Sequence, residues 1–334
     1  MRSWSGALCG VVLTAQIAGA VCATPDAPPA PRPLRLVTLN VLHGGMSSGL
    51  WGDGDRLEQR LAVTTDALRA LDADVIGLQE ASQAWGRGDV TGRIADALGY
   101  QSTFAGATSR LFGGGLLGFL SAAVLDFDEG PAIVSRFPIT GTTTRLLAQC
   151  GAFYRRVLVC AEVCTPWGAV EACSTHLNGS ACQARSVQQA LAGHPPMPVI
   201  LMGDLNAGED DASLHVLRDD AGFVDTFRTA NPTLTGFTDD QDLDVDRATV
   251  ELRADYVLVA PAGGHPTRVV ESHVVLDHPF HSVDGDLLWP SDHYGVLSEV
   301  DLFGRTSPPL RPPRRRLPAR RRASARGSGA RVGG

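Results

Sequence analysis

Short apolar runs alternate with amphipathic segments along most of the chain. Residues 34–39 form an apolar run after a proline-rich stretch and predict a first strand. Residues 55–71 carry leucines on one helical face, and Asp55 and Glu58 have the spacing of a capping box, so this segment predicts a helix. Residues 74–78 are again apolar and predict a second strand.

The same alternation continues to the last apolar run. The further predicted elements are strands at 132–135, 157–164, 169–175, 198–202, 255–259 and 295–302 and a helix at 183–192. A turn at 165–168 predicts a hairpin that places Cys160 opposite Cys173. Polar and acidic residues recur at strand ends, where α/β sheets place binding and catalytic groups. The pattern predicts one α/β domain with its chemistry at one edge.

Both ends of the chain differ in composition from this body. Residues 1–23 are typical of a signal peptide, with Arg2 before an apolar stretch and with candidate cleavage motifs at 18–20 and 21–23. That stretch is too short to span a bilayer comfortably. Residues 24–33 predict a proline-rich linker, residues 34–304 the folded domain, and residues 305–334 a disordered tail rich in arginine and proline. We therefore expect a secreted or periplasmic protein.

Charge is distributed unevenly between the tail and the rest. The tail contains ten arginines and no acidic residue, so residues 1–304 have a net charge of −17 although the whole chain has −7. An acidic body argues against tight electrostatic capture of nucleic acid, which depends on basic side chains that displace counterions. It is consistent with a protein that gathers divalent cations.

Cleavage after Ala23 would leave five cysteines within one short segment. They are Cys150, Cys160, Cys164, Cys173 and Cys182. An exported protein can oxidise them, and an odd number leaves one without a partner inside the monomer. Their spacings match no familiar zinc pattern.

Five short motifs carry groups suited to phosphoester chemistry. They are Thr-Leu-Asn at 38–40, Leu-Gln-Glu at 78–80, Ser-Thr-His-Leu-Asn at 174–178, Gly-Asp-Leu-Asn at 203–206 and Ser-Asp-His-Tyr-Gly at 291–295. Phosphoester hydrolysis needs a cation for the phosphate, a group that positions or deprotonates water, and donors for developing charge. Carboxylate and amide oxygens are the ligands that hard cations prefer. Each motif alone is weak evidence, because turns and surface loops contain similar residues.

Their order and spacing across residues 34–302 resemble the endonuclease/exonuclease/phosphatase superfamily, whose members include DNase I and the bacterial sphingomyelinases. Arg-Ala-Asp-Tyr at 253–256 and the segment 130–139 are similar to further stretches of that family. The resemblance implies a DNase I-like four-layer α/β sandwich, with two central, mostly antiparallel sheets flanked by helices. It also implies metal-dependent hydrolysis of phosphoesters with Mg²⁺ or Mn²⁺.

The resemblance assigns roles to particular residues. Glu80 would be the principal metal ligand, with Asn40 and Asp292 near the same ion. Catalytic roles fall to Asp204, Asn206, His176, Asp255 and His293. Asp204 would orient or deprotonate the attacking water and Asn206 would donate to a phosphate oxygen. Asp255 would position His293, which together with His176 would stabilise charge or assist the leaving group.

Several assignments stay open at this stage. Either Asp204 or His293 could be the general base, because a carboxylate that orients an imidazole supports both roles. Arg136 is a candidate phosphate contact, although an arginine after a strand is as often a solvated charge. His43 is a candidate substrate-binding residue because it follows the metal-site Asn40 by three positions.

The substrate class also has alternatives. Residues 111–125 are apolar and rich in glycine, and they could contact a lipid surface or complete the core. Sphingomyelinase-like action on phospholipid therefore stands beside nuclease action, with small phosphoesters as a further option. A binding module with a dead site is the remaining alternative, and it is disfavoured because Glu80, Asp204 and His293 are all present. No protein partner is predicted.

Overall fold

The computed structural model describes residues 22, 29–43, 56–84, 88–107, 128–151, 155–193, 197–261, 267–281 and 285–304. Apart from Cys22, the predicted signal peptide lies outside these residues. The tail from 305, the apolar segment 111–125 and residues 24–28 of the linker also lie outside them. Within the described ranges, no helix is long and apolar enough to cross a membrane.

Fifteen strands and five α-helices are described in these ranges. The strands are β1 (Leu34–Asn40), β2 (Val75–Ala84), β3 (Gly88–Asp89), β4 (Gln101–Phe104), β5 (Asp128–Ser135), β6 (Ile139–Leu146), β7 (Val157–Thr165), β8 (Gly168–His176), β9 (Val199–Asp204), β10 (Val224–Asp225), β11 (Asp255–Ala260), β12 (Arg268–Val275), β13 (Phe280–His281), β14 (Leu287–Leu288) and β15 (Gly295–Asp301). The helices are α1 (Leu57–Ala70), α2 (Val90–Leu98), α3 (Ala181–Leu191), α4 (Ala212–His215) and α5 (Thr226–Ala230), and a π-helical turn spans Val216–Asp220.

The strands form two large sheets and a small hairpin. The first sheet has the order β12-β15-β1-β2-β5-β4 with β3 beside β2, and the second has the order β10-β11-β9-β8-β7-β6. Only β1 with β2 and β8 with β9 are parallel among the described pairs of these sheets. The prediction of two mostly antiparallel sheets is confirmed.

Three apolar clusters separate four layers. The inner faces of the two sheets pack on each other, for example through Val75, Ile133, Val159 and Ile200, and these residues are fully buried. Gly77 permits close approach of the sheets, because a Cβ there would lie 2.6 Å from Cβ of Met202. The outer face of the first sheet is covered by α1 and α2, and that of the second by α3, α4 and the π-helical turn. The four-layer α/β sandwich is confirmed.

Strand register brings the polar strand ends to one edge. Asn40 at the end of β1 lies opposite Gln79 on β2, and His176 at the end of β8 lies opposite Asp204 on β9. Asp255 begins β11 opposite Asp204, because that pair is antiparallel. The segment before β15 reaches the same edge, since β15 runs antiparallel to β1.

Most predicted elements are present with shifted ends, and some were missed. The first helix begins at Leu57 with Arg56 at its N-cap and no side-chain cap, and Asp55 of the predicted capping box lies outside the described residues. Glu58 accepts hydrogen bonds from Arg93. The missed elements include β6 and β12, which lie at sheet edges, and α2. Because edge strands expose much of both faces, they lack the apolar run that marks a central strand.

The described cysteines form three disulfides. These are Cys22–Cys164, Cys150–Cys182 and Cys160–Cys173. The last confirms the predicted hairpin register, in which Cys160 lies opposite Cys173. Cys164 is paired with Cys22, so removal of residues 1–23 would leave Cys164 without this partner.

Candidate active site

Two residues at the edge where the strand ends meet have an unusual backbone conformation. Glu80 has φ 53° at an irregularity of β2 between Leu78 and Ala81, and Asn206 has φ 49° just after β9. Non-glycine residues seldom adopt this left-handed conformation, and such strain concentrates at functional sites.

Asp204 lies at the centre of the site and is 1% exposed. Its Oδ2 accepts a hydrogen bond from Nδ2 of Asn40 at 3.1 Å, and its Oδ1 accepts one from the backbone of Asn206 at 2.9 Å. The same Oδ2 lies 3.3 Å from Nε2 of His176 and 3.7 Å from Nε2 of His293. These contacts fix the direction of the carboxylate between two imidazoles.

His293 is oriented by a buried carboxylate behind it. Its Nδ1 donates to Oδ2 of Asp255 at 2.9 Å, and Asp255 is fully buried. The opposite nitrogen, Nε2, therefore faces the site. Burial alone would lower the pKa of His293, but the charge and hydrogen bond of Asp255 outweigh it and raise that pKa well above its ordinary value. His293 is thus an imidazolium that can donate a proton or a hydrogen bond.

His176 has the opposite character. Burial lowers its pKa well below the ordinary value, so the ring is neutral. Nδ2 of Asn206 donates to Leu177 O at 3.1 Å and lies 2.9 Å from Nε2 of His176. Because that amide nitrogen is a donor, Nε2 of His176 accepts and Nδ1 carries the proton.

The residues assigned to a cation are close together. Asn40 also donates through Nδ2 to Oε1 of Glu80 at 3.1 Å, while its amide oxygen accepts from the backbone of Leu42. Asn40 therefore orients Glu80, and the carboxylates of Glu80 and Asp292 are the groups that could hold a cation here. Their oxygens suit a hard divalent cation.

Burial raises the pKa values of two carboxyl groups at this edge. The pKa of Asp204 rises to about 7, with the charge of Asp255 as the next cause, and the pKa of Asp292 rises to about 6, with Glu80 contributing. Carboxyl groups with raised pKa values beside an imidazolium are typical of sites that transfer protons near neutral pH. A cation beside Asp292 would favour its charged form.

The structure brings the eight core candidates and His43 into one cluster but separates Arg136 from it. Arg136 follows β5 at the edge opposite to Glu80, because Ser135 pairs with Val75 at the start of β2. Five residues of strand separate Val75 from Glu80, which is about 17 Å. Arg136 donates to Tyr100 and Asp72 there, so the structure does not bring this candidate phosphate contact to the cluster.

His43 lies inside the cluster. Its Nε2 is 3.3 Å from Oε2 of Glu80. The polar residues 277, 278 and 281 occupy exposed or half-buried positions before and in the small hairpin of β13 and β14.

Asp239 is a site residue that sequence reasoning missed. Its Oδ1 lies 3.3 Å from Nε2 of His293, closer than Asp204. Thr238, just before it, accepts from the backbones of Ala254 and Asp255 and thereby fastens the segment to the start of β11. No motif marked this residue. A Thr-Asp-Asp run shortly before Arg-Ala-Asp-Tyr is the signal that could have identified it.

A two-sheet sandwich with carboxylates, amides and imidazoles converging at one edge defines the class of DNase I-like phosphoesterases. The sequence matches the model of the Endonuclease/Exonuclease/phosphatase family over residues 37–293. The chain belongs to this family of hydrolases acting on phosphoesters, whose enzymes commonly use divalent metals. None of the curated proteins matches the chain in sequence.

Solved structures of the same fold share little sequence with the chain. An endonuclease/exonuclease/phosphatase family protein from Bacteroides thetaiotaomicron is 19% identical with a TM-score of 0.63, over 81% of this chain and 98% of that one. The mannosyl-6-phosphatase Bt3783 from Bacteroides thetaiotaomicron is 20% identical with a TM-score of 0.62, over 80% and 99%. The human Nocturnin catalytic domain is 17% identical with a TM-score of 0.54, over 82% and 96%. At these identities the likeness establishes the fold alone.

Proposed function

We propose that the protein is a divalent-metal-dependent phosphodiesterase that uses water to attack phosphorus. The observation that carries this proposal is the position of Asp204 between the imidazoles of His176 and His293, with Asn40 linking it to Glu80. This arrangement supplies a proton acceptor, a proton donor and cation ligands within a few ångströms of each other.

The residues fit the cation that the family implies. Glu80 and Asp292 would hold Mg²⁺ or Mn²⁺, which would neutralise charge on the phosphate group. Asn40 would keep Glu80 in place through its hydrogen bond.

We assign the general base to Asp204 and the general acid to His293. Asp204 accepts the proton of the attacking water as the new oxygen–phosphorus bond forms. His293 gives its Nε2 proton to the leaving oxygen as the other oxygen–phosphorus bond breaks. The raised pKa of His293 favours this direction, because the ring starts protonated. Asn206 and His176 stabilise charge on the non-bridging oxygens.

A matched set of assays tests this function. Protein freed of metal should be inactive on bis-p-nitrophenyl phosphate, and added Mg²⁺ or Mn²⁺ should restore hydrolysis. Full activity in excess chelator would refute the metal role. Faster hydrolysis of p-nitrophenyl phosphate than of the diester would refute a phosphodiesterase in favour of a phosphomonoesterase.

A lipid substrate is the second candidate, and exposed apolar side chains favour it. Leu234, Phe237 and Leu252 are 58%, 38% and 37% exposed, and they belong to the segment around Asp239. Phe237 precedes Asp239 by two residues, and Leu252 pairs with Asp239 through the backbone. An apolar rim beside a phosphate site suits a phospholipid better than a nucleic acid. The predicted contact through residues 111–125 remains a proposal.

Serine substitutions distinguish a lipid substrate from a nucleic-acid substrate. Phe237→Ser and Leu252→Ser should slow hydrolysis of sphingomyelin vesicles but spare bis-p-nitrophenyl phosphate. Val270→Ser is the matched control, since Val270 is 41% exposed on β12, away from the start of β15. Activity on DNA or RNA without activity on vesicles would reject the lipid substrate.

We also propose that the protein is exported and carries its disulfides when mature. Three disulfides among the described cysteines are consistent with an oxidising compartment. Cleavage after Ala20 would retain Cys22 for its bond with Cys164. Intact-mass measurement and thiol titration of secreted protein should find residue 21 at the N-terminus and no free thiol. A chain starting at residue 24 with one free thiol would support the alternative cleavage.

A further inference from the structure

The two carboxylate oxygens of Glu80 face different partners. Oε1 accepts from Asn40 at 3.1 Å and lies 3.8 Å from Nδ1 of His176. Oε2 lies 3.3 Å from Nε2 of His43. A carboxylate presented in this way to two sides is suited to bridging two cations.

A second carboxylate stands on the His43 side of Glu80. Glu129 is 3% exposed on β5, and it lies opposite Ser82 on the neighbouring β2. One potential ligand atom from each of His43, Glu80 and Glu129 lies within 4.8 Å of the others. One imidazole and two carboxylates at this spacing are ligand types that hold divalent metal ions.

An independent observation comes from His176. Its Nδ1 is buried and has no hydrogen-bond partner within the described residues, and it points toward Glu80. The 3.8 Å separation is too long for a hydrogen bond. An unsatisfied buried donor is unfavourable, so this nitrogen indicates a position for a further oxygen atom beside Glu80. Water or phosphate oxygen on a Glu80-bound cation would supply it.

We propose that Glu80 bridges two divalent cations, with Asp292 completing one site and His43 and Glu129 completing the other. The inference rests on the proposed cation site at Glu80 and adds a second one with different chemistry. One imidazole nitrogen and two carboxylates suit Mn²⁺ or Zn²⁺ better than Mg²⁺, which selects oxygen ligands.

Counting bound Mn²⁺ tests the second site without reference to turnover. Metal-free full-length protein should bind two equivalents of Mn²⁺ in isothermal titration, and its electron paramagnetic resonance spectrum should show a spin-coupled pair. His43→Ala and Glu129→Gln should each bind one equivalent and show an isolated ion. Asp292→Asn should also retain one equivalent, held at the His43 side.

Two matched substitutions control for loss of any histidine or any buried carboxylate. His281→Ala removes an exposed imidazole, and Glu171→Gln alters a carboxylate that is 7% exposed on the other sheet. Both should keep two equivalents. Circular dichroism checks folding, and His43→Ala still decides the question if Glu129→Gln fails to fold.

Each outcome bears on a distinct claim. One equivalent in the wild type, or two in folded His43→Ala, overturns the second site and leaves His43 and Glu80 as a simple ion pair. If hydrolysis then still requires metal, the proposed function stands. If no Mn²⁺ binds and hydrolysis persists in chelator, the proposed function fails as well.

Discussion

Nδ2 of Asn40 donates a hydrogen bond to Oδ2 of Asp204 at 3.1 Å, although the two residues are 164 positions apart. Asn40 ends β1 in one sheet and Asp204 ends β9 in the other. Both side chains are buried. This bond therefore joins the two sheets at the active edge and aims the carboxylate of Asp204.

Asp204→Asn tests the assignment of the base. The amide has nearly the same shape but cannot accept the proton of water, so we expect kcat to fall by about 10²- to 10⁴-fold. Thermal unfolding and Mn²⁺ binding should change little, because Glu80 and Asp292 are retained. A folded variant with wild-type turnover would show that another group is the base.

The pair formed by Asp255 and His293 should behave as one unit. Asp255→Ala and His293→Ala should each reduce kcat/KM strongly, and the double variant should lose little more than His293→Ala alone. The reason is that Asp255 acts through the imidazole it orients. A double-mutant cycle measures this, and strictly additive losses would mean that the two residues act separately.

Asp239 should weaken the binding of anionic substrates. Its carboxylate lies 3.3 Å from Nε2 of His293, where it competes with a phosphate oxygen for the same proton. We expect Asp239→Asn to lower KM for bis-p-nitrophenyl phosphate about fivefold, or about 1 kcal/mol. Asp240→Asn, at the exposed neighbour, is the control and should leave KM unchanged. An unchanged or higher KM for Asp239→Asn would contradict the competition.

Glu209 should contribute to the decline of the free energy of unfolding at acid pH. Burial opposes ionisation, but hydrogen bonds from Arg228 and Arg253 outweigh it and hold the pKa of Glu209 below its ordinary value. A carboxylate with a lowered folded-state pKa stabilises above the unfolded value of 4.5, and this stability is lost as pH falls through the lower value. Urea unfolding from pH 6 to pH 3 should therefore show a shallower decline for Glu209→Gln than for the wild type. Exposed Glu271→Gln is the control, and equal slopes for Glu209→Gln and wild type would reject the contribution.

The sequence by itself determined the central elements and the identity of the reacting groups. Central strands such as β1, β9 and β11 are buried on both faces, so their apolar runs are visible without a structure. The hairpin register followed from a short turn, which fixed Cys160 opposite Cys173. The motifs at strand ends identified Glu80, Asp204 and His293 because their chemistry is local to each motif.

Only the tertiary structure decided which other polar residues join Glu80, Asp204 and His293 in the site. Arg136 resembled a phosphate ligand, but the antiparallel register of β5 carries it to the far edge of the sheet. Glu129 lies near the opposite end of β5 and reaches the active edge. Asp239 belongs to a loop that Thr238 attaches to the start of β11 by hydrogen bonds. Periodicity reveals which face of a strand is apolar, whereas the direction and pairing of strands set which end of it meets the site. That information resides in long-range contacts, so no segment of sequence contains it alone.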